Sequence, residues 1–418
     1  MKQPEPDPKH AAPFSPQPSL CSVEEAVAIV SETGVRYPDV SVPLSEAMGR
    51  FLAQEVRAER DLPPFDRVTM DGIAISHAAY AEGRRSFRIQ ATQPAGAPPL
   101  HCDSAEDAIR VMTGAVLPAG ADCVVPREEY REANGIATLA EAANPAPGQY
   151  VHAQGSDLKQ GGRLLAPGVA IRSNEMSVIA SSGLATVRVC RAPTVAIVST
   201  GDELVDVGRP ILPHQVRMST HHALHAALSR LGARRISTFH IPDDFDQVRN
   251  TLVALLGRFD LIITLGGVAA GDFDFVSRAL ESLRIPPMVQ GVAQRPGKPL
   301  WFGLHDQKAI FGLPGNPLST LVCLHKYVRP FFERAIGGEP APPIPAVLEA
   351  DVEFAPALTF FPPVRMRHTE SGQIAVTPAR YNTSGNMVAL AETDGFIELP
   401  AGPSHFPAGS IVPLTLWI

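Results

Sequence analysis

The sequence predicts a multidomain α/β-plus-β protein, with a doubly wound parallel-sheet domain, a β-rich insertion domain before it and a small C-terminal β domain. Three observations predict it. Residues 191–337 alternate apolar, strand-like runs with helix-like segments, the pattern of a parallel sheet covered on both faces. Residues 58–158 and 346–418 instead carry short strand-like pieces between Pro/Gly turns. At 418 residues the chain is too long for one ordinary core.

Residues 1–20 are proline-rich and lack an apolar segment, which predicts a disordered tail and no secretory signal. Residues 21–57 and 159–190 form an N-terminal region of mixed helix and strand. Ser22 caps an apolar periodicity at Val23, Ala26, Val27 and Val30, predicting a helix over 22–31. Residues 45–57 read as a second short helix and 174–182 as a third. Residues 58–158 open into strand-like 86–90 and the turn at 93–99. Within 191–337, buried strands are expected at 194–199, 261–264 and 309–311, and helices at 219–231, 246–256, 275–283 and 317–335. Residues 337–345 read as a linker, and 346–418 end in strand-like 412–417.

The net charge of −7 gives no basic face for nucleic acid. No run of 18 apolar residues occurs, so no membrane span is expected. Cys21, Cys102, Cys123, Cys190 and Cys323 are scattered, which argues against a disulfide framework or zinc set and for isolated thiols in a reducing cytoplasm.

In an open α/β sheet, ligands bind outside the carboxyl ends of the strands. Three expected strands deliver glycine with a carboxylate or amide to that edge. The loops are Thr200-Gly201-Asp202-Glu203-Leu204, Gly266-Gly267-Val268 with Gly271-Asp272-Phe273-Asp274, and Leu313-Pro314-Gly315-Asn316-Pro317. Glycine lets backbone N–H groups approach an anion, and carboxylates beside an anion imply a divalent cation between them. The site reads as magnesium plus a phosphorylated ligand. Arg295-Pro296-Gly297-Lys298-Pro299 sets two cations around a tight turn between the second and third loops. A solvated hairpin would have the same composition, but contact with anionic oxygens suits this position better. The stretches around Asp66–Asp71 and Thr113–Gly114 read individually as ordinary turns. His221 and His225 share a helix face, yet no glutamate of the His-Glu-x-x-His pattern and no third ligand is evident, so a polar helix start near the crevice is the preferred reading.

Taken in order, Pro64-Phe-Asp-Arg-Val-Thr-Met-Asp-Gly72, Met112-Thr-Gly-Ala115, Gly155-Ser-Asp157, Ser199-Thr-Gly-Asp-Glu-Leu204, Gly266-Gly-Val268, Gly271-Asp-Phe-Asp274, Pro296-Gly-Lys-Pro299 and Leu313-Pro-Gly-Asn-Pro317 resemble the molybdopterin molybdenumtransferase family, which includes the bacterial MoeA proteins and the E domain of gephyrin. The resemblance runs from about residue 20 to the C-terminus. It implies a molybdopterin-binding α/β domain and insertion of molybdenum from molybdate into adenylylated molybdopterin, with magnesium-dependent release of AMP. It also implies a homodimer whose cleft lies between one subunit's α/β domain and its neighbour. By match, Glu203 and Asp274 hold or neighbour the magnesium, and Asp243 is a further cleft carboxylate. Asp71 and Thr113 match cleft positions of the β-rich domain. Gly201, Gly266, Gly267, Gly271, Arg295, Lys298, Pro314, Gly315, Asn316 and Pro317 match the substrate-binding stretches.

The sequence departs from the family pattern at Arg67, Met218, Thr220 and Ala269, and Arg295 replaces the usual lysine. Two usual arginines fall at Leu358 and Pro363, and a serine pair at Val388-Ala389. Two rivals share parts of the pattern. One is a diverged homologue that holds molybdopterin or a partner without metal insertion, which the C-terminal departures favour. The other is an enzyme with only the α/β domain, acting on a different nucleotide, which the Asp71 and Thr113 motifs oppose.

Overall fold

The computed structural model describes residues 20–268, 274–380, 383 and 385–417. Contacts group them into two compact units. One holds the described residues up to Val40, then Gly49–Ala53 and everything from Val189 onward; the other holds Ser41–Met48 and Gln54–Arg188.

The first unit is built on a six-stranded sheet in the order Arg235–Ile241, Thr194–Thr200, Leu261–Leu265, Lys308–Leu313, Trp301–His305, Val289–Gln290. The first four strands are mutually parallel. Side chains alternate across a strand, and both faces here are apolar. Val195, Ile197, Ile263 and Phe311 pack on one side with Leu224, Leu228, Phe331 and Phe332. Ala196, Val198, Ile262 and Ile310 pack on the other with Val248, Leu252, Val276 and Leu280. That two-sided burial is why the strands read as unbroken apolar runs. The far edge is antiparallel, because His305 and Lys308 pair directly across Asp306-Gln307, with Asp306 at φ +54°. A two-residue turn admits only a hairpin, whereas a parallel neighbour needs a long crossover.

Two expected helices are corrected. Residues 45–57 contain only the 3-10 turn Leu44–Glu46 and the strand Val56–Arg57, since Gly49 takes a φ of +76° that no helix accommodates. The expected helix 317–335 is three consecutive pieces, α over Pro317–Cys323, π over Leu324–Val328 and α over Arg329–Ala335. Pro330 follows the π segment and has no N–H to donate, so the bonding ladder is rearranged around it. The predicted cap of the first helix is present: Glu25 N–H donates to Ser22 Oγ at 3.1 Å, and Ser22 N–H donates back to Glu25 at 2.8 Å.

The C-terminal segment closes a five-stranded barrel of Ile344–Leu348, Ile374–Pro378, Pro363–His368, Gly395–Ile397 and Ile411–Leu416. Leu348, Val364, Val376, Ile397 and Leu414 fill it. The second unit carries its own six-stranded sheet around Ile73, Ile75, Phe87 and Val125. No helix among the described residues is long and apolar enough to cross a membrane.

Asp260 ties the start of the central strand in place. It accepts from Arg191 at 2.8 and 3.0 Å, and from the Thr194 N–H and hydroxyl, both at 2.7 Å. Burial alone would raise its carboxyl, but the Arg191 and Thr194 hydrogen bonds outweigh burial and hold it at about 2. The folded-state value lies below the unfolded one, so the stabilisation is present above pH ~4 and is lost as pH falls toward 2. Asp260→Asn is expected to cost about 2 kcal/mol at neutral pH and to flatten the acid limb of the stability curve between pH 4 and 2. Urea titrations across that range check it.

Candidate active site

The loops after the parallel strands converge on a cleft of about 790 Å³ within the first unit. Glu203, Gly266, Gly267, Pro314, Gly315, Asn316 and Pro317 line it, together with Thr200, Thr220, His221 and Met387.

Each loop has a local reason for its shape. Gly201 sits at φ +140°, and a Cβ there would come within 2.5 Å of the Glu203 carboxylate. His240 Nε2 lies 2.8 Å from the Gly201 carbonyl, so the tautomer that bonds it carries its proton there. Gly266 and Gly267 sit at φ +89° and +66°, and a Cβ on Gly267 would meet Val276 at 2.9 Å. Gly267→Ala is therefore expected to cost ~1–2 kcal/mol through the left-handed backbone alone, read as a lower urea midpoint. Gly315 differs, because a Cβ there would meet nothing within 4 Å. Packing does not demand that glycine, but open backbone on a cleft wall serves a ligand. Thr220 Oγ1 donates to the Gly315 carbonyl at 3.3 Å, and Thr320 Oγ1 donates to Pro314 at 2.5 Å and Asn316 at 3.0 Å. Pro317 then starts the next helix, where its missing N–H costs nothing.

Carboxylates gather beside the first loop. Burial raises the Asp243 carboxyl above its ordinary range, and the charges of Asp202 and Glu203 raise it further, with only His240 opposing. Asp243 N–H donates to Asp202 at 3.3 Å. Carboxylates that disfavour one another's charge favour a nearby cation. Asp274 precedes the helix Phe275–Ser282 and is 9% exposed. The Gly267 carbonyl accepts from Ser277 in that helix at 3.3 Å, which couples the second loop to it. Gly271 and Asp272 lie outside the described residues.

Arg295 and Lys298 are exposed, and of their turn it is Pro299 that lines the cleft. The turn is pinned by a parallel pairing of Gln294 and Arg295 with Thr359 and Phe360, and by Gln294 Nε2 donating to the Pro296 carbonyl at 3.0 Å. In the second unit, Asp71 accepts from the Thr113 N–H at 2.6 Å and hydroxyl at 2.7 Å. Those bonds hold its carboxyl below the usual range. Gly72 beside it packs so closely that a Cβ would lie 2.0 Å from the Val125 carbonyl oxygen. Asp66, by contrast, accepts from the Gln154 N–H at 2.8 Å, an ordinary loop-closing contact.

Sequence reasoning missed the cleft contribution of Gly385 and Met387, which enter from the C-terminal segment. It also treated Leu358 and Pro363 alike. Leu358 is half-buried beside the Arg295 strand, whereas Pro363 is a buried barrel position whose carbonyl accepts from Ala379 at 2.9 Å. Of the Val388-Ala389 pair, Val388 is exposed and Ala389 buried.

Residues 21–183 match the MoeA N-terminal region (domain I and II), residues 196–334 a probable molybdopterin binding domain, and residues 345–417 the MoeA C-terminal region (domain IV). A molybdopterin molybdenumtransferase of Synechocystis is 36% identical over 95% of this chain and 100% of its own length. One from Bacillus subtilis is 31% identical over 94% of this chain and 93% of its own. The crystal structure of a molybdopterin biosynthesis MoeA protein from Pyrococcus horikosii is 28% identical and superposes with a TM-score of 0.80, covering 96% of this chain and 99% of that one.

Proposed function

The chain belongs to the molybdopterin molybdenumtransferase family of molybdenum cofactor biosynthesis, and we propose that its cleft inserts molybdenum from molybdate into adenylylated molybdopterin with release of AMP. The observation that carries this reading is the convergence of glycine-containing loops from three parallel strands on one cleft that also receives Glu203.

The loops carrying Gly201, Gly266, Gly267 and Gly315 cradle the phosphates, with Gly271 assigned to the second loop by sequence; the Gly201 and Gly266 N–H groups are bonded to the Ile241 and Leu313 carbonyls and shape the loops, so other loop N–H groups face the anion. Pro314, Asn316 and Pro317 fix the third wall. Glu203 and Asp274 would hold the magnesium ion, with Asp243 as a further carboxylate; the mutually repelling Asp202, Glu203 and Asp243 offer the oxygen donors that suit it. When bound, magnesium offsets phosphate charge and polarises the scissile bond. Arg295 and Lys298 supply positive charge for the molybdate oxyanion. Thr113 orients the ionised Asp71 carboxylate, and the family match assigns both to catalysis.

Incubation with adenylylated molybdopterin, magnesium and molybdate is expected to yield AMP and molybdenum cofactor. Tight substrate binding without AMP overturns the proposal and leaves a binding protein. The proposal includes a cytoplasmic homodimer. Light scattering at micromolar concentration is expected to give twice the chain mass, and a monomer removes the dimer.

A further inference from the structure

At His221, which lines the cleft, a second cluster of metal-ligating residue types comes together. Asp206, His221 and His222 bring a carboxylate oxygen and two ring nitrogens within 4.8 Å of one another. We propose that these three residues bind a divalent transition ion of the zinc class.

The short parallel pair Leu204–Val205 with Val216–Arg217 brings Asp206 beside the chain leading into the helix Thr220–Arg230. The sequence spacing favours His221 with His225, but the structure joins His221 to its neighbour His222, with ring centroids 4.0 Å apart. Consecutive helix residues ordinarily point about 100° apart, so this approach is a particular arrangement of the two side chains. His221 is 8% exposed and lines the cleft, and its Nδ1 is buried with no hydrogen-bond partner. A buried polar atom without a partner is costly, and a metal bond would satisfy it. Asp206 Oδ1 accepts from the Val207 N–H at 2.8 Å, which orients the carboxylate and leaves Oδ2 available. Arg217 donates to the Asp206 carbonyl at 2.8 Å and fixes the same turn.

Zinc-class bonds of about 2.1 Å hold donors roughly 3.4 Å apart, a spacing that donors already within 4.8 Å of one another reach with side-chain adjustment alone. Two imidazoles and one carboxylate select zinc, cobalt or nickel over magnesium, which prefers the oxygen donors near Glu203. Three protein donors leave a coordination position for water or a cleft ligand. The helix N-terminus opposes a cation, and the Asp206 charge counters it.

Untagged full-length protein, with excess magnesium present, is titrated with cobalt(II) and followed by visible absorption. One cobalt per chain is expected, with ligand-field bands that zinc abolishes by displacement. His222→Ala and Asp206→Asn, both at exposed positions, are each expected to weaken binding at least tenfold with unchanged circular dichroism. His225→Ala, outside the constellation, is expected to bind as wild type. Absence of stoichiometric cobalt binding, or binding that survives both substitutions, overturns the proposal.

Discussion

AMP release is expected to fall by two orders of magnitude or more in Glu203→Ala and in Asp274→Asn. Removing one preorganised electrostatic partner of a developing charge typically costs about 3 kcal/mol of transition-state stabilisation, roughly a hundredfold in rate. The substitutions differ because the environments differ. Glu203 is exposed on the cleft wall, so alanine removes charge with little loss of packing. Asp274 is 9% exposed at a helix start, where asparagine keeps the shape while deleting the charge. Thermal melts of both variants should stay close to wild type while AMP, measured by chromatography, disappears. Wild-type turnover in either variant would falsify the magnesium assignment for that residue. Asp243→Asn separates the pairs: if it abolishes turnover and Asp274→Asn does not, the metal lies between Glu203 and Asp243, whose charges already interact.

The three inner parallel strands were legible because both faces are buried: the expected runs 194–199 and 261–264, each leading to glycine, are the strands Thr194–Thr200 and Leu261–Leu265, whereas the partly exposed edge strand Arg235–Ile241 left no such run. The loops after them were legible for the same reason: glycine at a strand end has few other uses. What stayed hidden depends on backbone detail or distant contacts. Residues 45–57 have helix-like periodicity, and only the positive φ of Gly49 shows that no helix forms. Met387 reaches the cleft from a segment over a hundred residues beyond the Gly266-Gly267 loop. Asp206 approaches His221 and His222 through a two-residue strand pair too short to leave a pattern. Pro363 and Leu358 both stand at expected arginine positions, and only burial tells them apart.

That difference sharpens the second large effect. Replacing Arg295 and Lys298 together by alanine is expected to raise the molybdate concentration for half-maximal insertion by about a hundredfold or more. Both side chains are exposed, and among the described residues neither makes a hydrogen bond or ion pair, so their removal costs the fold little. A charge-assisted contact to an anion is worth about 1.5–3 kcal/mol, and two together exceed the roughly 2.8 kcal/mol of a hundredfold change. Leu358→Arg works in the opposite direction. Leu358 immediately precedes Thr359, whose N–H donates to the Ala293 carbonyl at 3.0 Å beside the Arg295 strand. A cation there joins the same exposed turn and is expected to lower the molybdate requirement about tenfold. Pro363→Arg is expected to fail, because its position is buried in the barrel opposite Phe396. An unpaired cation there costs about 3 kcal/mol or more, so the variant should lose stability without gaining molybdate affinity. Nucleotide binding, held by the glycine loops, should hardly move in Arg295→Ala/Lys298→Ala or Leu358→Arg. If nucleotide affinity changes while the molybdate dependence stays fixed, the turn serves the phosphates and the assignment of molybdate to it is wrong.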